Sequence, residues 1–215
     1  MYFPAGRYLT GSLQLKSNVT LYLEKEAVLL GSTSPYDYPG FSTEKELKVN
    51  NDHFDQALIY AEGAENIGIT GEGCIDGQGR ELALTIDSLH HTGELVDKHY
   101  NTYRKRPNTR PKLLFMRNCR KVELRKTNFR SGAAWGLSFS LCTDLTIDSL
   151  HVENRAYWNN DGIDFSDCKE VRISNCHIIS SASAIKFGTE SLGGFKNVTI
   201  DKVVRTSTMT CADRR

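Results

Sequence analysis

Asp144-Leu145-Thr146-Ile147, Glu170-Val171-Arg172-Ile173 and Asn197-Val198-Thr199-Ile200 are three versions of one pattern, polar–apolar–polar–apolar. Earlier copies stand at Lys121-Val122-Glu123-Leu124, Asn66-Ile67-Gly68-Ile69 and Asn18-Val19-Thr20-Leu21. Period-two alternation fits a strand that buries one face. Each copy is too short to be an amphipathic helix. From Val122 to Leu145, Val171 and Val198 the steps are 23, 26 and 27 residues, in the range of solenoid repeats.

A second short segment precedes each later copy: Leu58-Ile59-Tyr60, Leu113-Leu114-Phe115, Gly136-Leu137-Ser138, Gly162-Ile163-Asp164 and Ala184-Ile185-Lys186. A polar turn joins the two segments. A unit of about 25 residues carrying two or three strands describes one rung of a β-helix, whose inward side chains stack into one apolar column. A β-sandwich would need two-residue hairpin turns such as Asn-Gly. These are scarce here, and the steady step argues against them. The fold expected is all-β: a parallel β-helix, with residues 1–215 as one domain.

Charge is balanced, with 27 Lys and Arg against 26 Asp and Glu, so no global field favours nucleic acid or an anionic membrane. No apolar run reaches the ~20 residues of a membrane helix. The first residues, Met1-Tyr2-Phe3-Pro4, lack the basic and apolar regions of a signal peptide. None of the six cysteines forms a C-x-x-C pair, which argues against a zinc site. Cys119, Cys142 and Cys168 recur at similar places in successive units, as small stacked core or turn residues would.

Residues from about 80 to 112 break the rhythm. Insertions in solenoids map to one face, often the binding face, so 80–112 reads as an inserted loop at a cleft. It ends in a basic tract with Tyr103, Arg104, Lys105, Arg106, Arg110 and Lys112. Such a tract is either solvated surface or a cationic wall for an acidic substrate.

The chemistry-bearing stretch is Tyr157-Trp158-Asn159-Asn160-Asp161-Gly162-Ile163-Asp164. By parity Ile163 and Phe165 face the core and Asp164 faces out, with Asp161 at the bend before the strand. Two carboxyl groups on one surface suit glycoside hydrolysis, in which one protonates the leaving oxygen and the other activates water or attacks carbon. Tyr157 and Trp158 could stack on sugar rings, with Asn159 beside them. The bland alternative is that Asn-Asp-Gly is simply a turn.

This stretch resembles the Asn-x-Asp-Gly-x-Asp signature of the polygalacturonase-like glycoside hydrolases, family 28. Tyr2-Phe3-Pro4-Ala5-Gly6-Arg7-Tyr8-Leu9-Thr10-Gly11, Leu15-Lys16-Ser17-Asn18-Val19-Thr20-Leu21 and Gly71-Glu72-Gly73-Cys74-Ile75-Asp76-Gly77-Gln78-Gly79 are similar to its entry rung and its Gly-rich turn. The resemblance implies a right-handed, pectin-lyase-like parallel β-helix that hydrolyses galacturonan or a related pectic polysaccharide. It implies inversion without a metal or other cofactor, and a secreted or periplasmic protein. Asp161 would be one of the carboxylates that activate water, and Asp164 would lie beside it. Tyr157, Trp158, Asn159, Lys186, Arg104 and Arg106 would contact an acidic plant-type polysaccharide.

The departures from the family pattern are specific. An Asp-Asp pair that includes the general acid is replaced by Ala182-Ser183. The family's later Gly-His-Gly and Arg-x-Lys signatures do not follow the Asp161 stretch. The chain therefore reads as truncated at both ends, with uncapped rungs open to end-to-end self-association. The alternative reading is an impaired or inactive β-helix that only binds acidic polysaccharide. A third reading, a calcium-dependent lyase, would draw its ligands from Asp161, Asp164 and Asp167.

Overall fold

The computed structural model describes residues 1–40, 56–94, 110–188 and 190–207. Its strands form three parallel sheets wound as a right-handed β-helix. One seven-stranded sheet holds the repeated alternating segments: Glu65–Thr70, Arg120–Arg125, Thr143–Asp148, Lys169–Ser174 and Lys196–Asp201. Their apolar residues are in register, with Ile67 beside Val122, then Leu145, Val171 and Val198. The upstream segments form a six-stranded sheet, in which Ile59, Leu114, Leu137, Ile163 and Ile185 align. Another seven-stranded sheet contains a third strand per rung, including Cys74–Asp76, Asn128–Arg130, His151–Asn154 and His177–Ser180.

The corners are made by single residues in the left-handed region. Asn66, Lys121, Asp144, Glu170 and Asn197 all have φ between 53° and 60° and stack from rung to rung. One left-handed residue bends the chain without breaking the ladder, and after glycine Asn and Asp accept that conformation most readily. Where Asn repeats, the side chains bond along the stack, as in Asn66 Nδ2 to Asn18 Oδ1 at 2.9 Å.

Inside the coil one apolar column runs from Leu21 through Ile147 to Ile178. Phe139, Phe165 and Phe187 stack along it, with ring centres 5.4 and 5.3 Å apart. Aromatic stacking of this kind adds about 0.5–1.5 kcal/mol per pair beyond area burial. Cys119, Cys142 and Cys168 are buried, stacked and not joined in disulfides, their thiols donating to backbone carbonyls.

The insertion begins with an α-helix, Gly79–His91. Leu82, Ala83 and Ile86 form its buried stripe, and Leu82 and Ile86 join the main core. A Cβ at Gly79 would lie 2.2 Å from the Gly132 carbonyl carbon, so only glycine lets the helix start against the next rung's turn. Arg104 and Arg106 lie outside the described residues, as do Tyr103 and Lys105.

Candidate active site

Asp161 and Asp164 belong to the rung whose strand Ile163–Ser166 lies in the six-stranded sheet. Ile163 and Phe165 point into the core, as parity requires, and Asp164 points to the opposite face. A Cβ at Gly162 would lie 2.4 Å from the Ala184 carbonyl oxygen, so the bend that delivers Asp161 depends on glycine. Asp161 Oδ1 accepts a hydrogen bond from the Ser183 N–H at 2.7 Å.

The bend is braced from behind by two asparagines that the sequence reading did not single out. Asn154 Nδ2 donates to the Asp161 carbonyl at 2.7 Å and to the Ala134 carbonyl at 2.8 Å. Its Oδ1 accepts from the Gly132 N–H at 2.9 Å. Asn160 Nδ2 donates to the Gly132 and Ala134 carbonyls at 2.8 and 2.6 Å, and its Oδ1 accepts from the Tyr157 N–H at 2.6 Å. Both asparagines are fully buried. Their pattern of donors and acceptors satisfies backbone groups that the turn leaves unpaired.

The outer face of the sheet is not an open surface at this point. Asp161 is 4% exposed and Asp164 5%. In register with Asp164 lie Ser138 and Lys186, and beyond Ser138 come Phe115 and Tyr60. Tyr60 and Phe115 form a small apolar cluster of their own with Ala57. The Lys112 ammonium lies 3.8 Å from the Phe115 ring centre and 5.0 Å from that of Trp135. The Lys186 ammonium lies 4.4 Å from Trp135 and 3.2 Å from Glu190 Oε1. Lys112 is buried and Lys186 half-buried.

Electrostatics separate the two aspartates. Burial pushes Asp161 above the usual carboxylate range, against the Ser183 hydrogen bond and the Lys186 charge. Burial pushes Asp164 well above it, reinforced by the charge of Asp161 and opposed by Lys186 and Lys112. Among the described residues neither Asp164 oxygen has a hydrogen-bond partner, nor does Ser138 Oγ beside it. Asp161 thus gives up its proton more readily than Asp164. A pair of carboxyl groups with separated proton affinities is the arrangement acid–base chemistry needs.

The remaining expected residues divide. Trp158 is 49% exposed and presents an aromatic face. Tyr157 donates its hydroxyl to Asp87 Oδ2 of the helix at 2.6 Å, so it ties the insertion to the site. Asn159 adopts a left-handed turn conformation with φ 60°. Arg110 is buried, and its Nη1 donates to the Ala133 and Trp158 carbonyls at 3.0 and 2.8 Å. Its guanidinium lies 5.1 Å from the Tyr157 ring centre, and burial pulls its pKa down to about 10. Arg110 therefore shapes the Tyr157–Trp158 loop instead of facing solvent. Among the described residues no group of three or more His, Cys, Asp or Glu side chains is arranged to hold a metal.

The family model for glycosyl hydrolases family 28 matches residues 3–206. The chain belongs to that family. A probable polygalacturonase of Vitis vinifera is 28% identical over 200 residues, covering 90% of this chain and 38% of that protein. A solved structure from Parabacteroides merdae superposes with a TM-score of 0.76 at 27% identity, covering 95% of this chain and 81% of that one. The family 28 exopolygalacturonase of Yersinia enterocolitica gives a TM-score of 0.68 at 26% identity, covering 83% of this chain and 37% of that one. This family 28 chain thus spans well under half the length of the Vitis and Yersinia proteins.

Proposed function

We propose that this family 28 chain is a glycoside hydrolase acting on galacturonan or a related acidic pectic polysaccharide, with inversion at the cleaved carbon. The observation that carries the reading is the Asp161–Asp164 pair, two interior carboxyl groups of unequal proton affinity beside Lys112 and Lys186. Asp161 is the water-activating carboxylate. Asp164 stays neutral, which keeps a second negative charge away from an anionic substrate. Lys186 meets a uronate carboxylate, and Trp158 offers a stacking face. The same family membership supports export from the cell.

Polygalacturonate incubated with the chain should release reducing ends. Asp161→Asn should keep the fold and lower that release at least about 100-fold, the scale of losing a general base. A variant as active as the parent would remove Asp161 from the mechanism. One observation favours a binding-only reading: Ala182 cannot titrate and is buried. Polysaccharide binding without any turnover by the parent chain would establish that reading instead.

A further inference from the structure

His151 and His177 hold the same position in successive rungs. Each opens the third strand of its rung, His151–Asn154 and His177–Ser180. The residues that follow them, Val152 and Ile178, belong to the core, so alternation turns both imidazoles to the outer face. His151 is half-buried and His177 exposed. Their ring centres are 5.0 Å apart, with the ring planes inclined by 59°. Among the described residues neither imidazole is tied up in a hydrogen bond or an ion pair. The pair stands on a different sheet from Asp161 and Asp164.

Two imidazoles at one position of adjacent parallel strands have the reach of a chelate. A zinc-like ion bonds an imidazole nitrogen at about 2.0–2.1 Å. The nitrogens lie at the ring rims, so bond angles between square-planar and tetrahedral put the two ring centres roughly 5 Å apart. The observed spacing meets that value. The χ2 torsion of His is soft, so one nitrogen of each ring can turn toward the space between them. The neighbours narrow the ligand set. Asn128 and Val204 flank the pair in its row. Glu153, the next outward residue beyond His151, accepts a hydrogen bond from Arg155 Nε at 2.8 Å. Cys74 lies in the same row two rungs from His151, roughly 10 Å at the spacing of paired strands and too far to share an ion.

We propose that His151 and His177 together bind one copper(II), nickel(II) or zinc(II) ion, with water completing its coordination. Imidazole suits these ions, whereas calcium and magnesium call for oxygen donors. Copper(II) binds tightest of the three. The ion spans two rungs and is chelated only while they are stacked, so its binding stabilises the fold. The site is independent of the glycosidase reading.

The test titrates copper(II) and zinc(II) into the full chain after treatment with a chelator. Electron paramagnetic resonance of the first equivalent of copper should show two imidazole nitrogens on one ion. His151→Ala and His177→Ala should each weaken zinc binding at least about tenfold, because the second ligand no longer acts at high local concentration. His91→Ala, which removes an imidazole from the helix, should bind as the parent does. Zinc should raise the melting temperature of the parent and of His91→Ala, and leave those of His151→Ala and His177→Ala unchanged. His151→Gln and His177→Gln keep a polar side chain of similar reach and should lose the ion as the alanine variants do. They carry the comparison if an alanine variant fails to fold. Parent-like affinity in any variant at His151 or His177, or a single imidazole on the bound copper, overturns the site.

Discussion

Asp164 holds two carboxyl oxygens in the interior with no hydrogen-bond partner for either among the described residues. Its proton affinity is raised in the folded chain, as is that of Asp161. The folded state therefore binds more protons than the unfolded state above the ordinary carboxylate pKa of about 3.9. Stability from these groups is full below that value and falls as pH rises through the raised values of the fold. Asp164→Asn replaces a group that is neutral in the fold by one that is neutral everywhere. At pH 7 it should raise Tm by about 2–4 °C, the scale of one kcal/mol in a domain this size. The gain should vanish near pH 4, and thermal melts across this range check it. A variant less stable than the parent at pH 7 would mean that Asp164 is charged in the fold. Parity made the direction of Asp164 legible in the sequence. Its enclosure was not legible, because the groups that act on it, such as Lys186 and Lys112, come from other rungs and carry no local signal.

At the scale of the element, the bend carrying Asp161 hangs on Asn154 and Asn160. Asn160→Ala strips three hydrogen bonds from interior backbone groups, those to the Gly132 and Ala134 carbonyls and from the Tyr157 N–H. Leaving such groups unpaired should cost about 2–4 kcal/mol. Chemical denaturation measures this, and a loss below about 0.5 kcal/mol would mean that water replaces the amide at once. Elements differ in how much the sequence declared. The strands of the first sheet were legible because two inward residues alternate in each, as in Leu145 and Ile147. The third strand of each rung was not placed, because segments such as Asn128–Arg130 bury a single residue, Phe129, and show no period. The helix Gly79–His91 was hidden inside an irregular insertion, although Leu82, Ala83 and Ile86 give it a helical stripe. Asn154 and Asn160 were read past because turn asparagines are common. Only their buried contacts distinguish them.

The whole molecule is a column of stacked rungs. Function at this scale follows from the coil. Each rung delivers one outward residue to the same row, so Ser138, Asp164 and Lys186 meet although the sequence separates them. The most direct check of the central reading is digestion of polygalacturonate in water enriched in oxygen-18, followed by mass spectrometry of the fragments. Hydrolysis at the Asp161 site predicts one heavy oxygen at each new reducing end, with the product absent in Asp161→Asn. Unsaturated fragments without the label, or labelled fragments formed equally by Asp161→Asn, would contradict it.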